Sequence, residues 1–402
     1  AATYLGDIVG VHEKLNGEAE EIVGVQVLDD RTLVVALDDP KPYFLAKLTF
    51  PTTFVVDREN IEADPEGWVY APNASGPFGL KEYIEEEALI FERNNAYHSQ
   101  PSINNIVYLL YQAGNNISYF EAGEIDITYI SPIDARSIFE TDGDPLQDQL
   151  LMTTSMCTDY IQFSNARPPL DDVNVRQALA LAIDKERLNE QFFENQALIA
   201  QSLLPPGIPG FSLDESYDSH DADAAKAALA ASSYAGNMPP IVINTSGYGD
   251  TDSPILTAII DMWRQELGID VSVEFVDPRD IARRLHEADG QIVMMGWCAD
   301  YPDPENFLDV LSHSESIYNY VAYNNPEVDE ILELARVEMD PQRRIDDYIQ
   351  VENLLAEDVA FVPLWHDVWF TLVNPRVQGY VETPMGVPIL HLLSIDKQTD
   401  RD

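Results

Sequence analysis

The segment GWCADYPDPENFL, residues 296–308, places a cysteine and then a carboxylate directly after an apolar run. Ile292, Val293, Met294 and Met295 form the short continuous run of a strand covered on both faces, and Gly296 ends it. Asp303 has a local role here. Asp-Pro before Glu305, Asn306 and Phe307 supplies a helix N-cap acceptor, with Pro304 at the first helical position. Asp300 has no such role. A carboxylate just past a strand's end can receive the cationic group of a ligand, or it can be satisfied by backbone amides of its own YPDP turn. These residues alone leave both open. The two cysteines, Cys157 and Cys298, each lie near the end of a strand-like stretch. In an oxidising compartment such a pair suggests a disulfide, and in a cytosolic protein two buried thiols.

Other reactive constellations are weak. The 7 histidines are dispersed, with neither an HExxH pair nor Cys-rich spacing, so no metal site is expected, and His366 reads as a strand-face histidine. No GxSxG elbow, P-loop or GxGxxG occurs, and carboxylates are too abundant for any one pair to point to glycoside hydrolysis. Neither an enzyme nor a cofactor is expected. Aromatic residues carry more information. Tyr160 follows Cys157 by three positions, Trp297 precedes Cys298, and Tyr380 lies in VQGYV. Each can be core packing, or a wall of the kind that surrounds a few polar anchors in a binding cleft.

The elements that must position these residues follow from periodicity. After Pro240 come a strand at Ile241 to Asn244, a helix from Pro254 to Leu267 closed by Gly268, and a strand at Val271 to Val276. A second helix over Asp280 to Ala288 then leads into the GWCAD strand. This β-α-β-α-β order predicts a mainly parallel sheet with ligand at the carboxyl ends of strands, where Asp300 lies. DDVNVRQALALAIDKERL spaces Val175, Leu179, Ala182 and Ile183 as the buried face of a helix. Residues 20–150 are strand-rich, with a hairpin signal at Asp29-Asp30 and further strands in ALIFERN and NNIVYLLY. Residues 326–358 form amphipathic helices split at Asp340-Pro341, before AFVPLWHDVWFTLV returns to strand.

A chain of 402 residues with 45% apolar content favours more than one lobe. No apolar run reaches the roughly 18 residues of a membrane span. The 23 basic residues against 70 acidic ones give a formal −47, spread along the chain, a field that repels phosphate backbones and anionic lipid and argues against nucleic-acid binding. AATYLGDIVG at the start carries neither a signal core nor a lipid-attachment cysteine.

VLDDRTLVVALDDPKPYFLAKL, NASGPFGLKEYIEEEALIFERNNAYH, FEAGEIDITYI, DDVNVRQALALAIDKERL, GWCADYPDPENFLDVL and VQGYV follow one another along the chain. In that order they resemble the bacterial extracellular solute-binding proteins of oligopeptide and dipeptide ABC transporters, the family-5 type. The resemblance implies an α/β, two-lobed periplasmic-binding-protein-like fold (type II, cluster C) with mixed sheets. By position, residues 57–156 and 382–402 correspond to lobe I, residues 157–381 to lobe II, and residues 1–56 to the end of an extra subdomain on lobe I. A family member carries a substantial segment before this point, so the N-terminal part of lobe I is expected to be missing, together with any lipid anchor.

What the resemblance implies for function is a monomeric, extracytoplasmic receptor that binds an extended oligopeptide between its lobes and delivers it to an ABC permease. Asp300 is expected to receive the peptide's α-ammonium group, Cys157 and Cys298 to form a family disulfide beside it, and Trp297, Cys298, Tyr160 and Tyr380 to line the cleft. Met294 and Met295 stand where some peptide binders carry a basic side chain for the ligand's carboxylate. The alternatives are a receptor for another small solute, such as a sugar, a metal chelate or an opine, and a sensor or chaperone domain with a protein partner. Self-repulsion among 70 carboxylates is screened within about 10 Å at 0.1 M salt. The melting temperature is therefore expected to rise between very low and moderate salt, and a flat calorimetric series would show that the acidic surface does not destabilise the fold.

Overall fold

The computed structural model describes residues 2–111, 114–213, 217, 219–245, 253–275 and 291–396. The chain divides into two compact units, Ala1–Thr53 with Met156–Asp367 and Phe54–Ser155 with Val368–Asp402. This division differs from the expected one at two points: residues 1–53 group with 156–367, and the chain re-enters the second unit at Val368 instead of 382. The strands Leu150–Phe163 and Phe361–Val373 each continue from one unit into the other.

In the first unit, Val271–Phe275, Ile241–Thr245 and Ile292–Cys298 lie side by side and parallel, as the β-α-β order requires. Ile292–Cys298 then pairs antiparallel with Leu150–Phe163, which is followed by Phe361–Val373, so the sheet is mixed and not mainly parallel. The helix Pro254–Leu267 has its predicted bounds, with Gly268 closing it at φ 68°, a left-handed value suited to glycine. Val276 and the predicted helix over Asp280 to Ala288 lie outside the described residues.

Alternation along Leu150–Phe163 sends neighbouring side chains to opposite faces. Ile161 and Phe163 join Val175, Leu179, Ala182, Ile183, Ile259 and Trp263 on one side. Tyr160 joins Phe307, Leu308, Leu311, Leu332, Tyr348 and Phe361 on the other. The helix Val173–Leu181 buries Val175 and Leu179 of the face read from its periodicity, with Asp172 accepting from the Asn174 amide at its start, but Ala182 and Ile183 lie past its end and Asp184 caps a second helix, Lys185–Phe193. Asp340 likewise caps Pro341–Glu357 and divides it from Pro326–Val337.

Residues 2–53 hold the predicted hairpin, Val25–Asp29 with Thr32–Val35, and a small apolar cluster of Ile8, Val11 and Phe44. In the second unit, Phe78–Ile84, Ala88–Arg93 and Asn105–Leu109 form an antiparallel three-stranded sheet. Phe370–Val373 pairs there with Ile127–Ile130 over a core of Phe120, Ile138, Leu146 and Leu372. Among the described residues no helix is long and apolar enough to cross a membrane.

The register between Ile292–Cys298 and Leu150–Phe163 sets Cys298 opposite Cys157, and the two form a disulfide with Cα atoms 4.0 Å apart and a sequence separation of 141. Cross-linking so long a loop restricts the unfolded chain by at most about 5 kcal/mol in the chain-entropy account. Replacing both cysteines by alanine is expected to lower the unfolding free energy by up to that amount while circular dichroism stays native. An unchanged urea midpoint would show that the bond does not constrain the unfolded state.

Candidate functional site

The strand that carries Asp300 runs further than its apolar run suggests. It continues through Gly296 to Cys298, because Gly296 pairs with Asp159. A Cβ at Gly296 would come within 2.3 Å of Asp159 Oδ1, so any larger residue there would displace that carboxylate. Gly296 and Cys298 are exposed, Cys157 is buried, and Asp300 is half-buried just past the strand's end.

Asp303 both caps and anchors. Its Oδ1 accepts from the Glu305 amide at 2.9 Å, and its two oxygens take the Arg344 guanidinium at 2.9 and 2.6 Å. The helix starts at Glu305 with Pro304 as its flanking residue, one position later than the sequence suggests. Arg344 also lies over the rings of Tyr43 and Tyr348, at 5.4 and 4.9 Å from their centroids. This buried fork fixes the turn, and Asn306 on the first turn of the helix then reaches back. Its Oδ1 accepts from the Asp300 amide at 2.9 Å and from Trp297 Nε1 at 3.3 Å.

Asp300 is thus left with a carboxylate that does not serve the turn. It accepts the hydroxyl of Tyr4, with the Asn306 side-chain amide 3.5 Å away. Burial, reinforced by the Asp300 charge, pushes the Tyr4 phenol far above its ordinary value, so it stays a donor. The Tyr4 ring stacks on Tyr318 at 6.0 Å, and Tyr318 meets Trp297 edge-on at 5.2 Å. The result is a carboxylate walled by three aromatic rings.

On the sheet face shared by Gly296 and Asp159 lies a second acidic feature. Asp159 accepts Trp365 Nε1 at 2.6 Å, and burial raises its pKa despite that bond. Asp367 is pushed up to about 6 by burial and then by Asp159, and no hydrogen bond or ion pair involves its carboxylate among the described residues.

The predicted residues separate. Asp300, Trp297, Cys298 and Cys157 come together at one strand end. Tyr160 does not line that opening: it is fully buried, edge-on to Phe361 at 5.3 Å, because its position on the strand faces the helical core. Tyr380 belongs to the second unit, where it donates to Glu382 at 2.8 Å beside Tyr129 at 2.9 Å and Thr371 at 2.7 Å. Met294 packs against one core and Met295 against the other. Tyr4, Asn306 and Tyr318 escaped the sequence reading. Asn306 alone had a local signal, since it lies on the first turn of the helix that follows Asp300. No group of three or more metal-binding side chains occurs among the described residues.

Residues 3–319 match the model of bacterial extracellular solute-binding proteins, family 5. The chain belongs to that family. It is 29% identical over 394 residues to the periplasmic oligopeptide-binding protein OppA of Escherichia coli, covering 94% of this chain and 72% of the relative. It is 26% identical over 393 residues to heme-binding protein A of Haemophilus influenzae, covering 94% of this chain and 70% of that protein. A solved periplasmic oligopeptide-binding protein of Borrelia burgdorferi matches 98% of this chain and 80% of its own, with a TM-score of 0.77 and 25% identity.

The Arg344–Asp303 fork predicts its own cost. Arg344→Met is expected to destabilise by about 3–5 kcal/mol, because it leaves Asp303 buried and unpaired. Adding Asp303→Asn should restore part of the loss in urea titrations, and equal stability of the single variant and wild type would remove the fork from the site's support.

Proposed function

We propose that this chain is the extracytoplasmic substrate-binding component of a peptide ABC transporter, acting as a monomer that passes an extended oligopeptide to its permease. The observation that carries the reading is Asp300. Its carboxylate caps no helix, lies among Tyr4, Trp297 and Tyr318, and among the described residues receives only the neutral donors Tyr4 and Asn306. An α-ammonium offers three N–H donors and a full positive charge, which satisfy this acceptor better than a phenol does.

In this reading Tyr4 Oη turns from donor toward Asp300 to partner of the same ammonium. Trp297 and Tyr318 give the first residue of the ligand an apolar wall, while Cys157 and Cys298 hold the strand end rigid below it. Backbone hydrogen bonding along an extended ligand supplies affinity without reading side chains, which suits a broad receptor. The resemblance to OppA of Escherichia coli supports the ligand class. The two compact units would serve as the lobes that a ligand brings together. The similarity to heme-binding protein A of Haemophilus influenzae keeps a non-peptide solute as the second reading. Mass spectrometry of ligand released from denatured protein separates the two.

Truncating one partner of a buried charge pair typically costs about 2–5 kcal/mol. Asp300→Asn is therefore expected to weaken binding of a free tri- or tetrapeptide at least about thirtyfold, since about 1.4 kcal/mol is tenfold. The N-acetylated peptide should bind wild type poorly and lose little more in the variant. Equal calorimetric affinity of wild type for free and acetylated peptide would rule out Asp300 as the ammonium receptor.

A further inference from the structure

Residues 2–53 meet the remainder of their unit through charges, hydroxyls and aromatic rings. Their apolar cluster of Ile8, Val11 and Phe44 draws only on their own residues, and neither large core of the unit includes any of them. The junction is nonetheless buried: Tyr4, Tyr43 and Lys47 on one side, Tyr301, Glu305, Asn306 and Arg344 on the other. At its centre Lys47 Nζ lies 2.8 Å from Asp7 Oδ2 and 3.6 Å from Glu305 Oε1. Glu305 also accepts the Tyr301 hydroxyl. One turn away, Tyr4 covers Asp300.

We propose that residues 2–53 form a cap that docks reversibly over Asp300, and that Glu305 is the group through which proton uptake tightens the docking. The contacts favour such reversibility, because among the described residues 2–53 share no aliphatic core with the rest of the unit and meet it through the Lys47–Glu305 ion pair, the Tyr4 hydroxyl on Asp300 and a few ring contacts. Around Glu305 the facing groups are Lys47, Asp7 and Tyr43 from the cap, and Lys41 lies 3.9 Å from Asp7. From the rest of the unit come Tyr301 and Asp303 in the preceding turn and Asp309 on the same helix, the latter held by Arg336. Arg344 and Tyr348 lie behind them.

Burial raises Glu305 to about 7 although Lys47 opposes the shift, and Asp309 and Asp303 add to it. Lys47 stays charged, since Glu305 and Asp7 outweigh its own burial. The sign follows from linkage. An undocked, hydrated Glu305 returns to the ordinary value near 4.5, so the docked form holds its proton more tightly. Docking is strongest where both forms are protonated, below about 4.5, weakens by up to tenfold per unit as pH rises, and levels off above about 7. Access to Asp300 then grows as the solution passes from acid to neutral. This holds whatever solute Asp300 receives, so the inference does not depend on the ligand being a peptide.

Hydrogen exchange by mass spectrometry on the whole chain tests this, with rates at pH 5 and pH 8 converted to protection factors so that the intrinsic pH dependence of exchange cancels. Amides of residues 8–48 in wild type are expected to lose at least tenfold in protection between the two, while amides of the Pro254–Leu267 helix do not change. In Glu305→Gln the loss should vanish. Lys47→Met removes the charge that opposes the shift and should move the midpoint of the loss to higher pH. Protection of 8–48 that is equal at the two pH values in wild type, a pH dependence retained in Glu305→Gln, or a midpoint in Lys47→Met that stays put or falls would each overturn the proposal.

Discussion

The antiparallel pairing of Ile292–Cys298 with Leu150–Phe163 is the constraint on which the rest of this site depends. Side chains in a strand alternate between faces, so the register fixes the face of every residue in the pair, and a slip by one would exchange them all. In the observed register Tyr160 and Val293 enter one core while Ile161 and Ile292 enter the other. Cysteine then meets cysteine, and Asp159 meets the glycine that can accommodate it. The disulfide adds a covalent statement of the same register. Asp300 inherits its position from this pairing, two residues beyond the last rung.

The chain spends its few cations unusually. With 23 Lys and Arg against 70 Asp and Glu, a surface role for the basic residues would be expected, yet Lys47, Arg176, Lys185 and Arg344 are all buried. Arg176 donates to the carbonyls of Leu170 and Asp358, tying the helix Val173–Leu181 to the end of Pro341–Glu357. Lys185 donates to the carbonyls of Ala200 and Pro363, and burial lowers its pKa to about 8. Each joins segments far apart in sequence. Buried cations of this kind specify geometry more than they stabilise, because desolvation offsets most of the attraction. The acidic exterior and the paired interior are therefore separate features: one concerns solvation, the other which segments meet.

Much of this was legible in the sequence where a local rule governs. Proline after aspartate and glycine after the last periodic residue placed helix ends to within a residue or so, whereas the apolar spacing through Ala182 and Ile183 ran past the end of Val173–Leu181. Asp300 stood out for a similar reason, since Asp303 already accounted for the cap. What escaped depends on register and on long-range contact. Tyr160 looked like a wall residue because it is near Cys157 in sequence, but proximity along a strand says nothing about face until the partner strand is known. Tyr4 lies 296 positions from Asp300, and no pattern within either segment links them. Nothing in the segments around Lys47 and Glu305 links the two, and only packing shows them buried together.

The sign of the charge also constrains what end of a ligand this protein can hold. On the reading proposed above, Asp300 at the ammonium end adds a local charge to a field that is already favourable to cations. The carboxylate end of a peptide meets the opposite situation. Met294 and Met295, where some peptide binders place a basic side chain, contribute no compensating charge. A field of this size is screened beyond roughly 10 Å at 0.1 M salt, so in such a medium the cost to a ligand carboxylate is set by groups within that distance rather than by the whole surface. Asp159 and Asp367 lie near the strand end that carries Asp300, with Asp159 two rungs from the Cys157–Cys298 pair. Burial raises the pKa of both, the Asp159 charge adds to the rise at Asp367, and the Asp367 charge is partly lost as the solution is acidified toward 6. On the reading proposed above, recognition is therefore concentrated at the amino end. The carboxylate end is best served by water and backbone amides, which hydrate it without demanding a fixed ligand length.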